Sequence, residues 1–170
     1  MYKRQQEETV ELIKTARERV PNIAFRTTIL VGYPGETEAE FQDLCDFVEA
    51  MEFDRLGVFQ YSHEEDTIAF AEKDDILAEV KTQRANRIME IQMEISRKKN
   101  EALVGKELKV LIDRKEGNHF YGRTESDSPE VDNEVIINAE NSYARIGDFT
   151  KVKITGAMEY DLVGIIVPES

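Results

Sequence analysis

The chain has 170 residues, 41% of them hydrophobic, and carries 35 acids against 22 bases for a net charge of −13. That length suits one ordinary domain or two small ones, and the absence of any apolar run near the roughly 20 residues of a membrane span argues against a membrane-embedded helix. A surface this acidic repels phosphate backbones and favours basic partners or simple solubility, and a single cysteine, Cys45, excludes an intrachain disulfide.

The opening residues, MYKRQQEETV, lack the apolar core of a secretory signal, so a cytoplasmic setting is expected. Residues 4 to 19 read as an amphipathic helix with Val10, Leu12, Ile13, Ala16 and Val20 along one stripe, stopped by Pro21. No strand precedes it, so the chain is expected to begin part-way through an α/β layer. Ala24 to Val31 predicts a strand whose run Thr27 to Val31 suits burial on both faces. Pro34-Gly35 then supplies a type II turn, and Thr37-x-x-Glu40 forms a capping box at the entrance to a helix over Glu38 to Met51. Phe41, Leu44, Cys45, Val48 and Met51 recur at helical steps and mark its buried face, with Cys45 read as a small core residue. Arg55 to Tyr61 is the next strand, parallel to the first through a right-handed crossover. In parallel α/β folds ligands sit at the carboxyl ends of strands, where Gly32 to Gly35 lie; the same glycines also suit a tight turn with no ligand. Two parallel strands do not make a stable sheet, and their exposed edges would invite self-association.

Residues 62 to 75 are acidic and irregular, with Asp66 suited to a left-handed turn. A long helix is predicted from Ile76 to Leu103, buried along Val80, Ile88, Ile91 and Ile95 and ended by Gly105. Beyond it the texture changes. Short apolar runs beginning at Leu108, Phe120, Val135, Val152 and Gly164, separated by Gly, Asn, Asp and Ser, predict a small five-stranded antiparallel barrel of the OB type. The boundary falls near Val104.

No local catalytic constellation emerges. Cys45, His63 and His119 are too far apart for a zinc site, and neither a nucleophile elbow nor a phosphate-binding P-loop is present. OB-type barrels often bind nucleic acid through aromatic platforms and basic grooves, and Tyr121 and Arg123 suit such a platform. The adjoining Glu125 to Glu134, ESDSPEVDNE, opposes it with five acids and no base. Two readings of that loop stay open: a solvated turn held by Pro129, or a docking surface for a basic protein through Glu125, Asp127, Glu130, Asp132 and Glu134.

Three stretches, RTTILVGYPGET from Arg26, FDRLGVFQYSHEEDT from Phe53 and GRTESDSPEVDNEV from Gly122, resemble the radical S-adenosylmethionine methylthiotransferases, in family order and over essentially the whole chain. The resemblance implies an α/β plus all-β chain. Residues 1 to 75 would be the C-terminal part of a radical-SAM partial (β/α) barrel, 76 to 104 a connecting helix, and 105 to 170 a TRAM barrel. The tRNA-modifying branch has Arg-Pro after the last strand where this chain has Glu64-Glu65, and the acidic TRAM segment suits a basic protein. Both favour the branch that methylthiolates an aspartate of small-subunit ribosomal protein twelve, with nucleic acid not bound directly and no membrane. Asp66 stands where that branch usually has Gly. The implied cofactors of the full-length parent are S-adenosylmethionine and two [4Fe-4S] clusters. Cys45 matches none of the cluster-binding cysteines, so this portion alone is expected to hold no cluster and to be inactive, with no catalytic or metal-binding residue of its own. Its expected contribution is part of the cofactor wall: Leu30 and Gly32 on the fifth-strand motif, with the motif's acid one place late at Glu36, Tyr61 and Ser62 at the end of the sixth strand, and Arg26 either as a carboxylate partner or as a solvated strand-end charge. The TRAM residues Tyr121 and Arg123 and the acidic loop are the expected substrate-docking set. A tRNA-modifying enzyme and a stand-alone, non-catalytic interaction module are the competing readings.

Overall fold

The computed structural model describes residues 2–129, 131–140 and 143–168 and divides into two compact units, one up to Ile95 and one from Ser96 onward. The first unit contains helix α1 (Tyr2–Arg19), strand β1 (Arg26–Val31), helix α2 (Glu38–Met51), strand β2 (Arg55–Gln60), a short 3-10 turn (Ile68–Ala71) and most of helix α3 (Ala78–Glu101).

β1 and β2 are parallel, in register from Arg26 opposite Arg55 to Val31 opposite Gln60. α2 makes the crossover. Its capping box is present: the Thr37 hydroxyl accepts from the Glu40 N–H at 3.2 Å, and the Glu40 carboxylate accepts from the Thr37 N–H at 2.9 Å. Those bonds from Thr37 hold the Glu40 carboxyl below its usual range. Ile29 and Val31 of β1 pack with Phe41, Cys45 and Val48 of α2 and with Ala85, Ile88, Ile91 and Ile95 of α3. Val31, Val48 and Ile88 are fully buried, each contributing roughly 1.5–3 kcal/mol of transfer free energy. Cys45 is one of these core residues, and burial pushes its thiol up.

The expectation that β1 is buried on both faces is corrected. Its residues alternate, with Ile29 and Val31 covered while Thr28 and Leu30 are exposed. α2 and α3 cover one face of the strand pair only, so the period-2 pattern of a one-sided sheet holds. Leu30 is 48% and Phe59 64% exposed, and they stand opposite each other in the register.

In the second unit, strands β3 (Glu107–Glu116), β4 (His119–Arg123), β5 (Val135–Asn138), β6 (Phe149–Ala157) and β7 (Leu162–Ile166) close in the order β3-β4-β5-β7-β6. All five predicted runs meet strands, and only Val167, at the end of the last run, lies beyond its strand. The barrel is not wholly antiparallel: β5 and β7 run parallel, which is how an odd-numbered ring with this strand order shuts. Its core is Val110, Ile112, Phe120, Val135, Ile137, Val152, Ile154 and Leu162. Gly164 allows close strand approach, since a Cβ there would lie 2.4 Å from Val152 Cγ1. Gly105 is left-handed as expected, with φ 87, but it lies beyond the end of α3. It shapes a turn in which the Lys106 N–H donates to Leu103 O, while its own N–H donates to Ile154 O.

Candidate functional site

The carboxyl ends of β1 and β2 form a mouth built by four short segments. β1 runs out at Gly32, whose φ of +75 favours glycine. The position is also sterically closed, because a Cβ there would sit 2.4 Å from Cγ of Lys81. Tyr33-Pro34-Gly35-Glu36 then makes the predicted type II turn, with the Glu36 N–H donating to Tyr33 O at 2.9 Å and Gly35 at φ +79. The turn brings the Glu36 carboxylate back beneath the strand end, where both its oxygens lie 3.2 Å from the Gly32 N–H.

Glu36 is fixed from the other side by Arg84 of α3. The guanidinium donates to Glu36 Oε1 at 2.6 Å, to Glu36 O at 3.1 Å and to Glu38 Oε2 at 3.2 Å, and it lies 5.2 Å from the Phe41 ring centre. The Arg84 and Glu36 side chains are 7% and 13% exposed. A pair this dry survives only because several hydrogen bonds and an aromatic face replace the lost water.

Beside it lies Tyr61. Its N–H donates to Val31 O at 2.9 Å, extending the parallel ladder by one residue. Its ring meets Tyr33 edge-on at 5.4 Å, and its hydroxyl lies within reach of His63 Nδ1 at 3.2 Å and Ala69 O at 3.4 Å. Burial, with the Asp74 charge as a lesser cause, pushes the Tyr61 hydroxyl up. Lys81 stands 5.0 Å from the ring centre and donates to Tyr61 O and to both oxygens of Asp74. That bond from Lys81 holds the Asp74 carboxyl below its usual range. Asp75 accepts from the Gly35 N–H at 2.9 Å and ties the far end of the 62–75 loop to the turn. Asp66 is left-handed, at φ 65, as expected.

Of the residues read from sequence as a cofactor wall, Gly32 and Tyr61 meet at this mouth. Leu30 lies just inside it on the uncovered sheet face, and Ser62 is exposed at the rim. Arg26 begins β1, six residues before Gly32 and therefore about 20 Å away along an extended strand. Sequence reasoning missed Phe59, Asp74, Lys81 and Arg84, and placed Glu36 only as an offset acid. The signal was present: Lys81 and Arg84 lie three residues apart, on the same stripe as Ala85 and Ile88, where a solvated helix face has no reason to put cations.

In the barrel most of the docking set is engaged with other residues of the same unit. Arg114, just past a bulge in β3, lies 4.2 Å from the Tyr121 ring centre and grips Glu134 with two nitrogens and Glu116 with a third. Glu134 first, then Glu116, raises the Arg114 pKa. Arg123 donates to Asp113 at 2.8 Å. Asp127 closes a turn on Thr124, and Asp132 accepts from the Ser128 N–H at 2.7 Å. Glu125 is exposed, and Glu130 lies outside the described residues. The whole-chain charge also concealed a basic stripe. On the outer face of β3 and β6, Lys109 stands opposite Lys151, Lys153 follows two residues on, and Lys109 Nζ lies 4.3 Å from the Phe149 ring centre, with Glu107 opposite Lys153 and 3.6 Å from Lys151 Nζ as the one acid in the row.

Among the described residues no group of three or more His, Cys, Asp or Glu side chains is placed to hold a metal, and no helix is long and apolar enough to cross a membrane. An iron–sulfur cluster needs several thiolates, so one buried cysteine in the α2–α3 core does not fit one. Residues 104–167 match the family model of the TRAM domain. The chain is 57% identical over 94% of its length to the ribosomal protein uS12 methylthiotransferase RimO of Cytophaga hutchinsonii. It is 54% identical over 93% to the RimO of Christiangramia forsetii and 51% identical over 94% to that of Phocaeicola vulgatus. It spans 36%, 35% and 37% of those relatives' lengths.

Proposed function

We propose, for a chain whose sequence belongs with the RimO proteins, that it supplies two parts of a ribosomal protein uS12 methylthiotransferase. Residues 1 to about 75 are a section of a radical-SAM barrel wall, 76–104 the connecting helix and 105–170 a TRAM module that docks the substrate. The observation that carries this is the identity above one half to RimO of Cytophaga hutchinsonii over nearly the whole chain. The geometry supports it: helices cover one face of a parallel pair and leave Leu30 and Phe59 bare on the other, as the inner wall of a (β/α) barrel requires.

S-adenosylmethionine, when bound to the whole enzyme, supplies the methyl group and the radical that activates the substrate carbon. Leu30 and Phe59 would offer its adenosine an apolar shelf, with Gly32, Tyr61 and Ser62 at the edge. Arg26, at the far end of β1, is the weakest member of that set. No step is routed through an iron–sulfur cluster on this chain, and the chain alone is read as inactive. The substrate is a basic protein, and the acidic loop attracts it through Glu125 and Glu130, while Asp127, Asp132 and Glu134 hold the loop's shape. Charge of this kind steers encounter more than it adds affinity.

The test is binding of the chain to purified uS12 and to tRNA across a salt series. Retention of uS12, lost on raising salt and weakened about tenfold by the double change Glu125→Lys and Glu130→Lys, supports the reading. A second reading, RNA contact through Lys109, Lys151, Lys153 and Phe149, is favoured by the basic stripe. Salt-sensitive tRNA binding without uS12 binding would replace the first reading with it.

A further inference from the structure

Lys81 is 6% exposed, and its ammonium has three acceptors for its three protons: Asp74 Oδ2 at 2.7 Å, Asp74 Oδ1 at 2.8 Å and Tyr61 O at 3.2 Å. No proton is left for a substrate, so the group has no direct chemical part at the mouth. What it joins is informative. Tyr61 is where the chain leaves β2, and Asp74 is where it returns toward α3, so one cation closes the neck of the twelve-residue loop 62–73. The lysine stem is equally constrained, lying against the space where Gly32 has no side chain.

The loop above this neck is ordered by its own contacts. The Thr67 hydroxyl donates to Glu64 O at 2.9 Å, and His63 stacks on Phe70 at 4.6 Å. Ile68, at 98% exposure, stands at its outer surface. An apolar residue of lysine's length would fill the space under Gly32 without the cost of drying a charge. The ammonium adds a fixed distance between the two ends of the loop.

We propose that Lys81 is a positioning residue: by clasping Tyr61 O and Asp74 it holds loop 62–73 in the one orientation in which the mouth meets its polypeptide substrate. The clause about the substrate rests on the function proposed above, in which the protein docked on the TRAM module must present its reacting carbon to the S-adenosylmethionine held at this mouth.

The test uses the whole chain with three substitutions. Lys81→Met keeps the stem under Gly32 and removes the charge, Lys81→Arg keeps a cation, and Asp74→Asn weakens the other half of the clasp. A glutamate-specific protease cuts after Glu64, Glu65 and Glu72 in the loop and after Glu18 and Glu49 in α1 and α2, which serve as internal controls. In Lys81→Met we expect loop cleavage to rise about tenfold with the helical sites unchanged, and Asp74→Asn to show a smaller rise at the same sites. Affinity for uS12 should fall about fivefold in Lys81→Met, and Lys81→Arg should restore both readouts toward the parent. Loop cleavage at the parent rate, or a parallel rise at Glu18 and Glu49, would overturn the clasp. Faster loop cleavage with unchanged uS12 affinity would overturn the substrate role alone. A parent chain that fails to bind uS12 would overturn the docking function and the substrate clause, while the cleavage result still judges the clasp.

Discussion

Replacing Arg84 with Met tests whether the Glu36–Arg84 pair organises the mouth. The change preserves much of the side-chain volume against Phe41 but leaves the Glu36 carboxylate, 13% exposed, with the Gly32 N–H alone. Breaking a buried ion pair from one side costs about 3–5 kcal/mol. The lower end applies, because the surviving Gly32 N–H still solvates the anion and the second arm, to an 83% exposed Glu38, contributes little. A loss of about 3 kcal/mol with a urea slope of about 1.5 kcal/mol/M moves the unfolding midpoint down by about 2 M. Helix α2 and most of α3 belong to the first unit, so circular dichroism at 222 nm follows the right transition. Adding Glu36→Gln removes the stranded charge and should recover about 2 kcal/mol, which a double-mutant cycle measures directly. A single-mutant loss below about 1 kcal/mol, or a coupling below about 0.5 kcal/mol, would refute the claim that this pair fixes the turn.

Two glycines in the same turn should respond differently. Gly32→Ala meets both an unfavourable φ and the Lys81 stem and should lose about 2–3 kcal/mol, whereas Gly35→Ala, with open space around its Cβ, should lose only about 1–2 kcal/mol by thermal melting. Because Lys81 depresses the Asp74 pKa, this carboxylate stabilises the fold fully above the ordinary carboxylate range, and that contribution disappears as pH falls through its lowered native value. Melting temperatures measured from pH 6 down to pH about 2.5 should therefore fall less steeply for Asp74→Asn than for the parent; equal slopes would contradict the assignment. In the second unit, Asn100 is 4% exposed and its amide donates to Met158 O and Tyr160 O. Asn100→Leu should cost about 1–3 kcal/mol by stranding those carbonyls, and hydrogen exchange around the β6–β7 hairpin would locate the loss.

Much of the fold was legible because its signals are local. Thr37-x-x-Glu40, Pro34-Gly35 and the helical spacing of Phe41, Cys45 and Val48 each specify their own geometry within a few residues, and the structure contains each of them. What sequence misread depends on partners distant in the chain. Thr27 to Val31 is apolar enough for two buried faces, but α2 and α3 both pack on one, which no property of the run reveals. The parallel closure of the barrel likewise depends on where β7 docks rather than on its composition. The site shows the same division. Gly32 and Tyr61 could be read from strand ends, while Arg84 and Lys81 reach Glu36 and Asp74 only after α3 folds back over the mouth. In the barrel, counting acids overstated what is on offer, because Asp127, Asp132 and Glu134 are spent on hydrogen bonds within the same unit.

The ring of five strands has one further consequence. Every strand in it has a neighbour on each side, but the ladder of β3 with β6 ends at Leu111 and its ladder with β4 begins there, so only a short main-chain edge on each half of β3 is left for a visitor to join as a further strand. Beyond those short edges, whatever the barrel holds it must hold by side chains and loops. The contacts it offers can therefore drift by surface substitution while the backbone beneath stays as it is.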